Sequence, residues 1–254
     1  GIEKFKYKVV LPPPSLFGQY KRQEDLELIR TALCGVPFEA SAVRAAFAAI
    51  PAAGAYNILS GQVSRYAQQL EAFSGYWFLG GDQNRLAATL LGTRALDVIE
   101  RRYQEGAVVG GTSAGAAVMT SEMLTGRQSN ERGDSPPIAR GAIDLGKGIG
   151  FLPDAIVDQH FLKRARYNRL LSAVLDRPQL IGVGIDEETA LLVRPDGRWE
   201  VLGKSYVKVI DARGARMTHD RRNLTGASNI RLHLLPRGAI FDPKRTRITL
   251  PDGG

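Results

Sequence analysis

A serine set between small residues is the first sign of chemistry in this 254-residue sequence. The segment Gly111-Thr112-Ser113-Ala114-Gly115 fits the small-x-Ser-x-small pattern of a nucleophile elbow, a sharp turn between a strand and a helix. Such a turn strains the serine backbone and requires neighbours without bulk, which Gly111 and Gly115 provide. The following helix would present backbone N–H groups to an oxyanion. Ser113 is a candidate nucleophile, although a tightly packed or phosphate-binding glycine turn would have the same pattern.

A serine nucleophile needs a base, and the sequence contains only three histidines. His219 lies in an arginine-rich loop and His233 lies in an alternating strand, so both are interpreted as surface residues. His160 follows a short apolar run that ends in polar residues before a helix. Because parallel sheets place their sites at the carboxyl ends of strands, His160 is the candidate base.

The base in turn needs an acid to orient it. Asp158 stands two residues before His160, and Asp186, Glu187 and Glu188 end a predicted strand. Spacing alone leaves all four acids open. An acid near position 187 gives the chain order Ser, His, acid, whereas α/β-hydrolases have the order Ser, acid, His. This order disfavours a lipase or an esterase.

The elements that position these residues are predicted from short apolar runs that alternate with amphipathic helices. The predicted strands are Tyr76–Leu79, Ala107–Val109 and Ile181–Ile185; the predicted helices are Val63–Phe73, Asn84–Tyr103 with a break near Gly92, and a helix from the elbow to Met123. Continuously apolar strands are typical of a parallel sheet buried on both faces. We therefore expect an α/β protein with a mostly parallel central sheet flanked by helices, as in flavodoxin-like folds.

The pattern of apolar residues differs near the two ends of the chain. Towards the C-terminus, Ala190–Val193 and Trp199–Leu202 flank Pro195-Asp196-Gly197 and predict an antiparallel hairpin, which further alternating strands at Val207–Ile210 and Ile230–Leu235 would extend. Near the N-terminus, helices are predicted between Leu26 and Ile50, followed by an apolar run at Tyr56–Leu59. We expect a single domain over residues 1–254 with antiparallel additions near its C-terminus.

Composition excludes several classes of function. With 44% hydrophobic and 24% charged residues the chain is typical of a soluble globular protein, and it lacks the apolar run of about 18 residues that a membrane span needs. The net charge is +8, but the basic stretch Arg213–Arg231 lacks the interleaved aromatics of a single-strand nucleic-acid binder, so no nucleic-acid partner is predicted. The single cysteine, Cys34, allows no internal disulfide and suits a cytoplasmic protein. A secreted form is the alternative, because the chain opens at Gly1.

Four separated segments together resemble the cyanophycinase family of serine peptidases (peptidase family S51), which is related to the aspartyl dipeptidases and has a class I glutamine amidotransferase-like fold. The segments are Phe78-Leu79-Gly80-Gly81-Asp82-Gln83, Gly111-Thr112-Ser113-Ala114-Gly115-Ala116, Asp158-Gln159-His160-Phe161 with the three arginines that follow, and Gly184-Ile185-Asp186-Glu187-Glu188-Thr189-Ala190. Two departures stand out. Leu79 replaces the usual Thr, and the Ala-Glu-Asp-like signature of the family's first strand is missing from the first 20 residues, so about 50 N-terminal residues are divergent.

The resemblance implies a role for each matching residue. Ser113 would be the nucleophile, His160 the base and Glu187 the acid that orients it. The backbone N–H groups of Gly81 and Ala114 would form the oxyanion hole. Six side chains would line the substrate pocket: Gln83, Asp158, Gln159, Arg164, Arg166 and Arg169.

The resemblance also implies a substrate. The family hydrolyses cyanophycin (multi-L-arginyl-poly-L-aspartate) and releases β-Asp-Arg dipeptides from a chain end, without a metal or cofactor. The substrate's carboxylates call for guanidinium groups, and its arginine calls for an acid, which Asp158 could supply. In a regular helix Arg166 and Arg169 share a face, but Arg164 and Arg166 do not. Members are often homodimers, so a homodimer is the assembly to test.

Two alternatives remain within the same fold. One is an aspartyl or isoaspartyl dipeptidase with the same three residues, and the other is a catalytically silent binding protein. A glutamine amidotransferase is disfavoured because that class has cysteine at the elbow, where this chain has Ser113.

Overall fold

The structure, a computed structural model, describes residues 7–11, 67–71, 73–128 and 137–251. The helices predicted between Leu26 and Ile50 and the apolar run at Tyr56–Leu59 lie outside the described residues. Within these ranges, no helix combines the length and the apolar character that a membrane span requires.

Among the described residues, seven strands form the larger sheet. They are β1 (Tyr7–Leu11), β2 (Gly75–Phe78), β3 (Val108–Gly111), β8 (Thr189–Val193), β9 (Trp199–Gly203), β14 (Ile240–Asp242) and β15 (Arg247–Thr249). Their spatial order is β15-β14-β9-β8-β1-β3-β2. The pairs β2–β3 and β1–β8 are parallel, and the others are antiparallel.

In the part of the chain that the structure describes, four strands form the second sheet, in the order β13-β10-β7-β6. They are β6 (Ala155–Gln159), β7 (Ile181–Ile185), β10 (Val207–Asp211) and β13 (Arg231–Leu235). Only β6 and β7 are parallel in this sheet. Two small antiparallel sheets pair β4 (Glu122–Gln128) with β5 (Ile143–Lys147), and β11 (Arg216–His219) with β12 (Thr225–Ser228).

The described helices are α1 (Ala67–Leu70), α2 (Gln83–Leu90), α3 (Arg94–Gln104), α4 (Ala114–Ala117) and α5 (Tyr167–Asp176). The break predicted near Gly92 is confirmed, since Gly92 has a φ of 71° that favours glycine. Thr93 then caps α3, because its side-chain oxygen accepts from the Leu96 N–H.

The α/β class is confirmed, but the sheet is less parallel than the sequence predicts. The antiparallel pairing of β1 with β3 interrupts the parallel order of the larger sheet, and every described strand from β9 onward forms antiparallel pairs only. An apolar run indicates burial on both faces but carries no direction, which explains the difference. The hairpin of β8 and β9 is confirmed, with Val193 paired to Trp199.

The helix predicted from the elbow to Met123 is wrong, because α4 ends after a single turn at Ala117. The carbonyls that a longer helix would use are taken by a distant segment: Ile149 N–H donates to Val118 O at 2.8 Å and Leu152 N–H donates to Met119 O at 2.8 Å. Tertiary hydrogen bonding therefore overrides the helical pattern in this segment.

One apolar cluster joins the two sheets. Val109 of β3, Val157 of β6, Val183 and Ile185 of β7 and Ala116 of α4 all belong to it and are fully buried. Helix α4 packs against β3 and β6. This packing brings together the carboxyl ends of β3, β6 and β7. Ser113, His160 and Glu187 follow these three strands.

Candidate functional site

Ser113 lies on a strained turn between β3 and α4. Its φ of 54° and ψ of −117° are unusual for a residue with a side chain. The turn is also tightly packed. A Cβ atom on Gly111 would overlap the backbone of Gly115, and one on Gly115 would overlap the carbonyl of Phe78. The two glycines of the elbow pattern are therefore required by space.

Two backbone amides near Ser113 have open hydrogen-bonding capacity. Within the described part of the chain, neither the Gly81 N–H nor the Ala114 N–H donates to a protein acceptor. By contrast, the next amide along the elbow, Gly115 N–H, donates to Thr112 O at 2.9 Å. Open amides beside a serine hydroxyl are the groups that an oxyanion needs. The roles expected for Gly81 and Ala114 stay predictions that this arrangement supports.

His160 lies between the serine and a carboxylate. Its Nε2 is 3.3 Å from Ser113 Oγ, and its Nδ1 is 3.6 Å from Glu187 Oε1. With the proton on Nδ1, Nε2 can accept a hydrogen bond from the Ser113 hydroxyl, and the Glu187 carboxylate favours that tautomer. The separation of 3.6 Å between Nδ1 and Oε1 is that of an ion-pair contact and is longer than an ordinary hydrogen bond.

Burial is the main cause that lowers the pKa of His160 from its ordinary value of 6.5 to about 4, and the positive charges of Arg164 and Arg166 add to it. Glu187 acts in the opposite direction and favours the imidazolium. The imidazole is therefore neutral at pH 7, which is the form that a general base requires.

Asp158, one of the four acids that spacing left open, belongs to a buried ion pair. Its side chain is 1% exposed and that of Arg169 is 4% exposed. Arg169 Nε donates to Asp158 Oδ2 at 2.8 Å, a second bond joins Arg169 to Oδ1, and Arg166 lies 3.3 Å from Oδ1. This carboxylate is enclosed and is held by two arginines of the chain, and its expected contact with the substrate's arginine stays a prediction.

The other three acids are consecutive, and each has a different contact. Ser205 Oγ donates to Asp186 Oδ2 at 2.6 Å, Lys204 Nζ lies 2.7 Å from Glu188 Oε2, and Glu187 Oε1 faces His160 Nδ1. Of the acids that spacing left open, Glu187 is the one that the fold brings to the imidazole.

The three arginines after His160 differ in exposure because α5 begins only at Tyr167. Arg164 is exposed, Arg166 is half-buried and Arg169 is buried. Arg166 donates to the carbonyl of Gln159 at 2.5 Å and also contacts the Gln159 side chain. Since Arg166 precedes the helix, both it and Arg169 can contact Asp158, and Arg164 is left towards solvent.

Gln83, the remaining pocket candidate, is buried at the start of α2. Its Nε2 donates to Leu124 O at 2.8 Å, which fixes the side chain against β4. Asp82 precedes it as the N-cap and accepts from Asn84 N–H at 2.8 Å. The loop that carries Gly81 is thus anchored by the first turn of α2.

The other two histidines lie outside this group. His219 is exposed and its Nδ1 is 3.1 Å from Thr225 Oγ1. His233 is half-buried against the ring of Phe241, with a centroid distance of 5.8 Å, and is thus partly solvated.

Sequence reasoning missed the supports of the Glu187 turn. Thr189 Oγ1 donates to Glu187 O at 3.0 Å and accepts from Ser205 N–H at 3.1 Å. Thr189 stands in one of the matched segments, and a threonine at a predicted buried strand end is a usable signal, but Ser205 carries none.

A separate cleft of about 650 Å³ is lined by α3 and by residues before β6, including Asp97, Glu100, Tyr103 and Phe151. It contains none of the residues around Ser113. Across the described ranges, no group of three or more His, Cys, Asp or Glu side chains is placed to hold a metal ion.

A hydroxyl on a strained turn, an imidazole beside it and a carboxylate on the far ring nitrogen form the arrangement that serine hydrolases share, whatever their fold. Comparison with known proteins shows to which family of hydrolases the chain belongs. The sequence pattern of peptidase family S51 matches residues 58–200. The chain belongs to peptidase family S51, and the resemblance inferred from the four segments is confirmed.

Several curated relatives are cyanophycinases. The chain is 40% identical to that of Trichormus variabilis over 185 residues, which cover 70% of this chain and 60% of the relative. It is 38% identical to that of Geminocystis herdmanii over 193 residues, which cover 73% of this chain and 68% of the relative. The chain thus spans about 60% of the length of the first relative.

One solved structure shares the fold. The crystal structure of a peptidase from an acI-B1 Actinobacterium superposes with a TM-score of 0.51 and covers 94% of this chain and 98% of the other. The two sequences are 19% identical, so this likeness concerns the fold alone.

Proposed function

We propose that this protein is a serine-type exopeptidase that hydrolyses cyanophycin and releases β-Asp-Arg dipeptides, with Ser113, His160 and Glu187 as its catalytic triad. The observation that carries the proposal is the distance of 3.3 Å between Ser113 Oγ and His160 Nε2, with Glu187 at the other ring nitrogen. The relatives named cyanophycinase supply the choice of substrate.

In the first half of the proposed reaction, His160 Nε2 accepts the hydroxyl proton while Ser113 Oγ attacks the scissile carbonyl. The negative charge that develops on the carbonyl oxygen is stabilised by the N–H groups of Gly81 and Ala114. His160 then donates its proton to the leaving amine, and the acyl group stays on Ser113. Glu187 holds the imidazole in orientation and stabilises the transient imidazolium.

In the second half, a water molecule takes the place of the leaving amine. His160 accepts a proton from this water, the resulting hydroxide attacks the ester carbonyl, and the proton passes to Ser113 Oγ as the acyl group leaves. The neutral imidazole that burial favours at pH 7 is the required starting form in both halves.

Substrate recognition in this proposal depends on positive charge near the imidazole. Arg164 and Arg166 lower the pKa of His160, so their charges act at the site where the substrate's carboxylates would bind. The exposed Arg164 is available for direct contact. We propose that Asp158 and Arg169 act indirectly, since their buried pair holds Arg166 and thereby Gln159 in place. Gln83 is proposed to line the pocket from the α2 side.

Product analysis tests the proposal. The protein is incubated with purified cyanophycin and the soluble products are identified by mass spectrometry, beside Ser113→Ala and the matched control Ser228→Ala, an exposed serine on β12. The expected result is β-Asp-Arg from the parent and the control, and none from Ser113→Ala. Polymer that stays intact with the parent contradicts the substrate assignment.

Two further substrates separate the alternatives. Cleavage of α-aspartyl or isoaspartyl dipeptides with no action on the polymer would identify an aspartyl or isoaspartyl dipeptidase. A fluorophosphonate probe should label Ser113 in either peptidase, because it reacts with an activated serine hydroxyl. Absence of labelling at Ser113 would identify the catalytically silent binding protein. Gel filtration with light scattering tests the homodimer that the resemblance implies.

A further inference from the structure

The turn that carries Glu187 places three carboxylates in succession. Asp186, Glu187 and Glu188 connect β7 to β8. Like charges at this spacing repel one another. Glu188 also has a φ of 55°, which is unfavourable for a side chain of this size. The conformation that presents Glu187 to His160 therefore needs support from outside the turn.

The support comes from the end of β9 and from the connection that follows it. Gly203, with a φ of 112°, lies so close to the turn that a Cβ atom there would overlap the Glu188 carbonyl. Lys204 N–H donates to Glu188 O at 2.9 Å. Ser205 Oγ donates to Asp186 Oδ2 at 2.6 Å. Three consecutive residues thus hold the residues on both sides of Glu187.

Thr189 holds Glu187 itself. Its hydroxyl donates to the Glu187 carbonyl at 3.0 Å and accepts from the Ser205 N–H at 3.1 Å, so donor and acceptor are both in use. Thr189 is 1% exposed, so water does not replace either bond readily. A valine would fill the same volume but could neither donate nor accept.

We propose that Thr189 and Ser205 are positioning residues that hold the Glu187 carboxylate against His160 Nδ1. The proposal rests on the proposed function, because Glu187 acts there by orienting the imidazole. The Nδ1–Oε1 distance is already 3.6 Å, so a further displacement of the turn would separate the two groups. Neither Thr189 nor Ser205 touches the reacting atoms, and both act through Glu187.

The test measures the rate at which a fluorophosphonate labels Ser113, which does not depend on the identity of the peptide substrate. Thr189→Val is expected to lower the labelling rate about 10- to 100-fold, since misplacement of a catalytic group by about 1 Å can cost that much. Thr189→Ser keeps the hydroxyl and should retain most of the rate. If packing alone mattered, Thr189→Val would be the milder change. Thr249→Val, an exposed threonine on β15, is the matched control and should label at the parent rate.

A double-mutant cycle distinguishes positioning from a general structural effect. In a Glu187→Gln background, Thr189→Val should cause little further loss, because the group that it positions has already lost its charge. Ser205→Ala keeps the backbone N–H and loses only the Asp186 contact, so we expect a loss of a few-fold that also disappears in this background. Ser205→Ala is the second variant if Thr189→Val does not fold.

The outcomes separate the two proposals. Equal labelling of the parent, Thr189→Val and Ser205→Ala overturns the positioning role and leaves the triad intact. Full additivity of Thr189→Val with Glu187→Gln also overturns it. A parent protein whose Ser113 is not labelled contradicts the proposed function, and with it the role of Glu187 on which this inference depends.

Discussion

Two acid–base contacts lie at the end of β6, and they are built differently. Asp158 and Arg169 are buried side by side, with a bond of 2.8 Å and a second bond that joins the same two groups. Two residues further on, His160 lies 3.6 Å from Glu187, with side-chain exposures of 14% and 26%. One contact is closed and fully paired, and the other is loose and partly open.

The difference follows from what each contact must do. A charge removed from water is tolerated only if its partner compensates it closely, so the Asp158 pair must be tight and is costly to break. A base that has to gain and lose a proton must not be fixed in one charge state. The looser His160 contact suits that requirement if His160 is the base, as proposed, and the turn that carries Glu187 is held by hydrogen bonds from Thr189 and Ser205. We therefore expect changes at the open contact to affect turnover and changes at the closed contact to affect stability.

The largest expected effect is at the proposed nucleophile and the proposed base. Ser113→Ala and His160→Ala should each lower kcat by about 10⁶, and the double variant should be no worse than either single one, because these groups act as a unit. The measurement is steady-state hydrolysis together with the thermal unfolding midpoint, which should stay close to that of the parent. An additive loss in the double variant would contradict a shared mechanism.

Glu187→Gln should lower kcat by about 10⁴, because an amide no longer favours the tautomer with the proton on Nδ1 and no longer stabilises the imidazolium. Asp186→Asn, at the neighbouring carboxylate, is the comparison and should lose far less. A larger loss at Asp186 than at Glu187 would show that the wrong acid has been assigned.

Asp158→Asn should destabilise the protein by about 3–5 kcal/mol, because it leaves the Arg169 charge buried and poorly compensated. The measurement is the free energy of unfolding from denaturant titration. Asp196→Asn breaks an exposed pair with Arg198 and should cost no more than about 1 kcal/mol. Equal costs at the two sites would remove the distinction between the closed pair and a surface pair.

The pH dependence tests the open contact. Because the pKa of His160 is lowered to about 4, kcat/KM should lose activity on the acid side near pH 4 rather than near 6.5. Arg164→Gln removes a cation that lowers this pKa, so its acid limb should move to higher pH. A bound carboxylate would partly offset the same cations, so the acid limb of kcat should lie above that of kcat/KM. An acid limb at 6.5 in both the parent and Arg164→Gln contradicts this account.

The same pKa shift has a smaller effect on stability. Between pH 6.5 and about 4 the unfolded chain binds a proton at His160 that the folded protein does not bind. The contribution of His160 to the free energy of unfolding is therefore fully present above pH 6.5, and it falls as the pH decreases from 6.5 to about 4. Denaturant titration of the parent and of His160→Ala should show a smaller acid loss in the variant.

Local patterns predicted much of this molecule. The buried strand Ile181–Ile185 and the hairpin after it could be read from the sequence because apolar runs and turn residues act locally. Ser113 and His160, which lie 3.3 Å apart in the structure, could be selected as candidates because a nucleophile elbow has a sequence signature and the chain has few histidines. The two predictions that failed, the direction of strand pairing and the length of α4, depend on distant contacts.

The choice among the acidic residues shows why local sequence patterns do not identify the whole candidate site. Asp186, Glu187 and Glu188 are adjacent and chemically alike, so spacing does not rank them. Their contacts differ only because residues 203–205, from another strand connection, engage the two outer ones. The resemblance to a known family selected Glu187, and the described geometry agrees with that selection.

The parallel pairing of β2 with β3 has a consequence for the proposed oxyanion hole. Gly81 follows β2 and Ala114 follows β3, so the spacing of the two amides is set by the register that pairs Phe78 with Gly111. Because α4 has a single turn, its helix dipole is small. The individual N–H groups are therefore the main source of stabilisation for an oxyanion. The register of β2 against β3 therefore determines how far apart the Gly81 and Ala114 N–H groups lie. A slip of the register by one residue would move one N–H group by about 3.3 Å relative to the other, so that only one of them could reach the substrate's carbonyl oxygen.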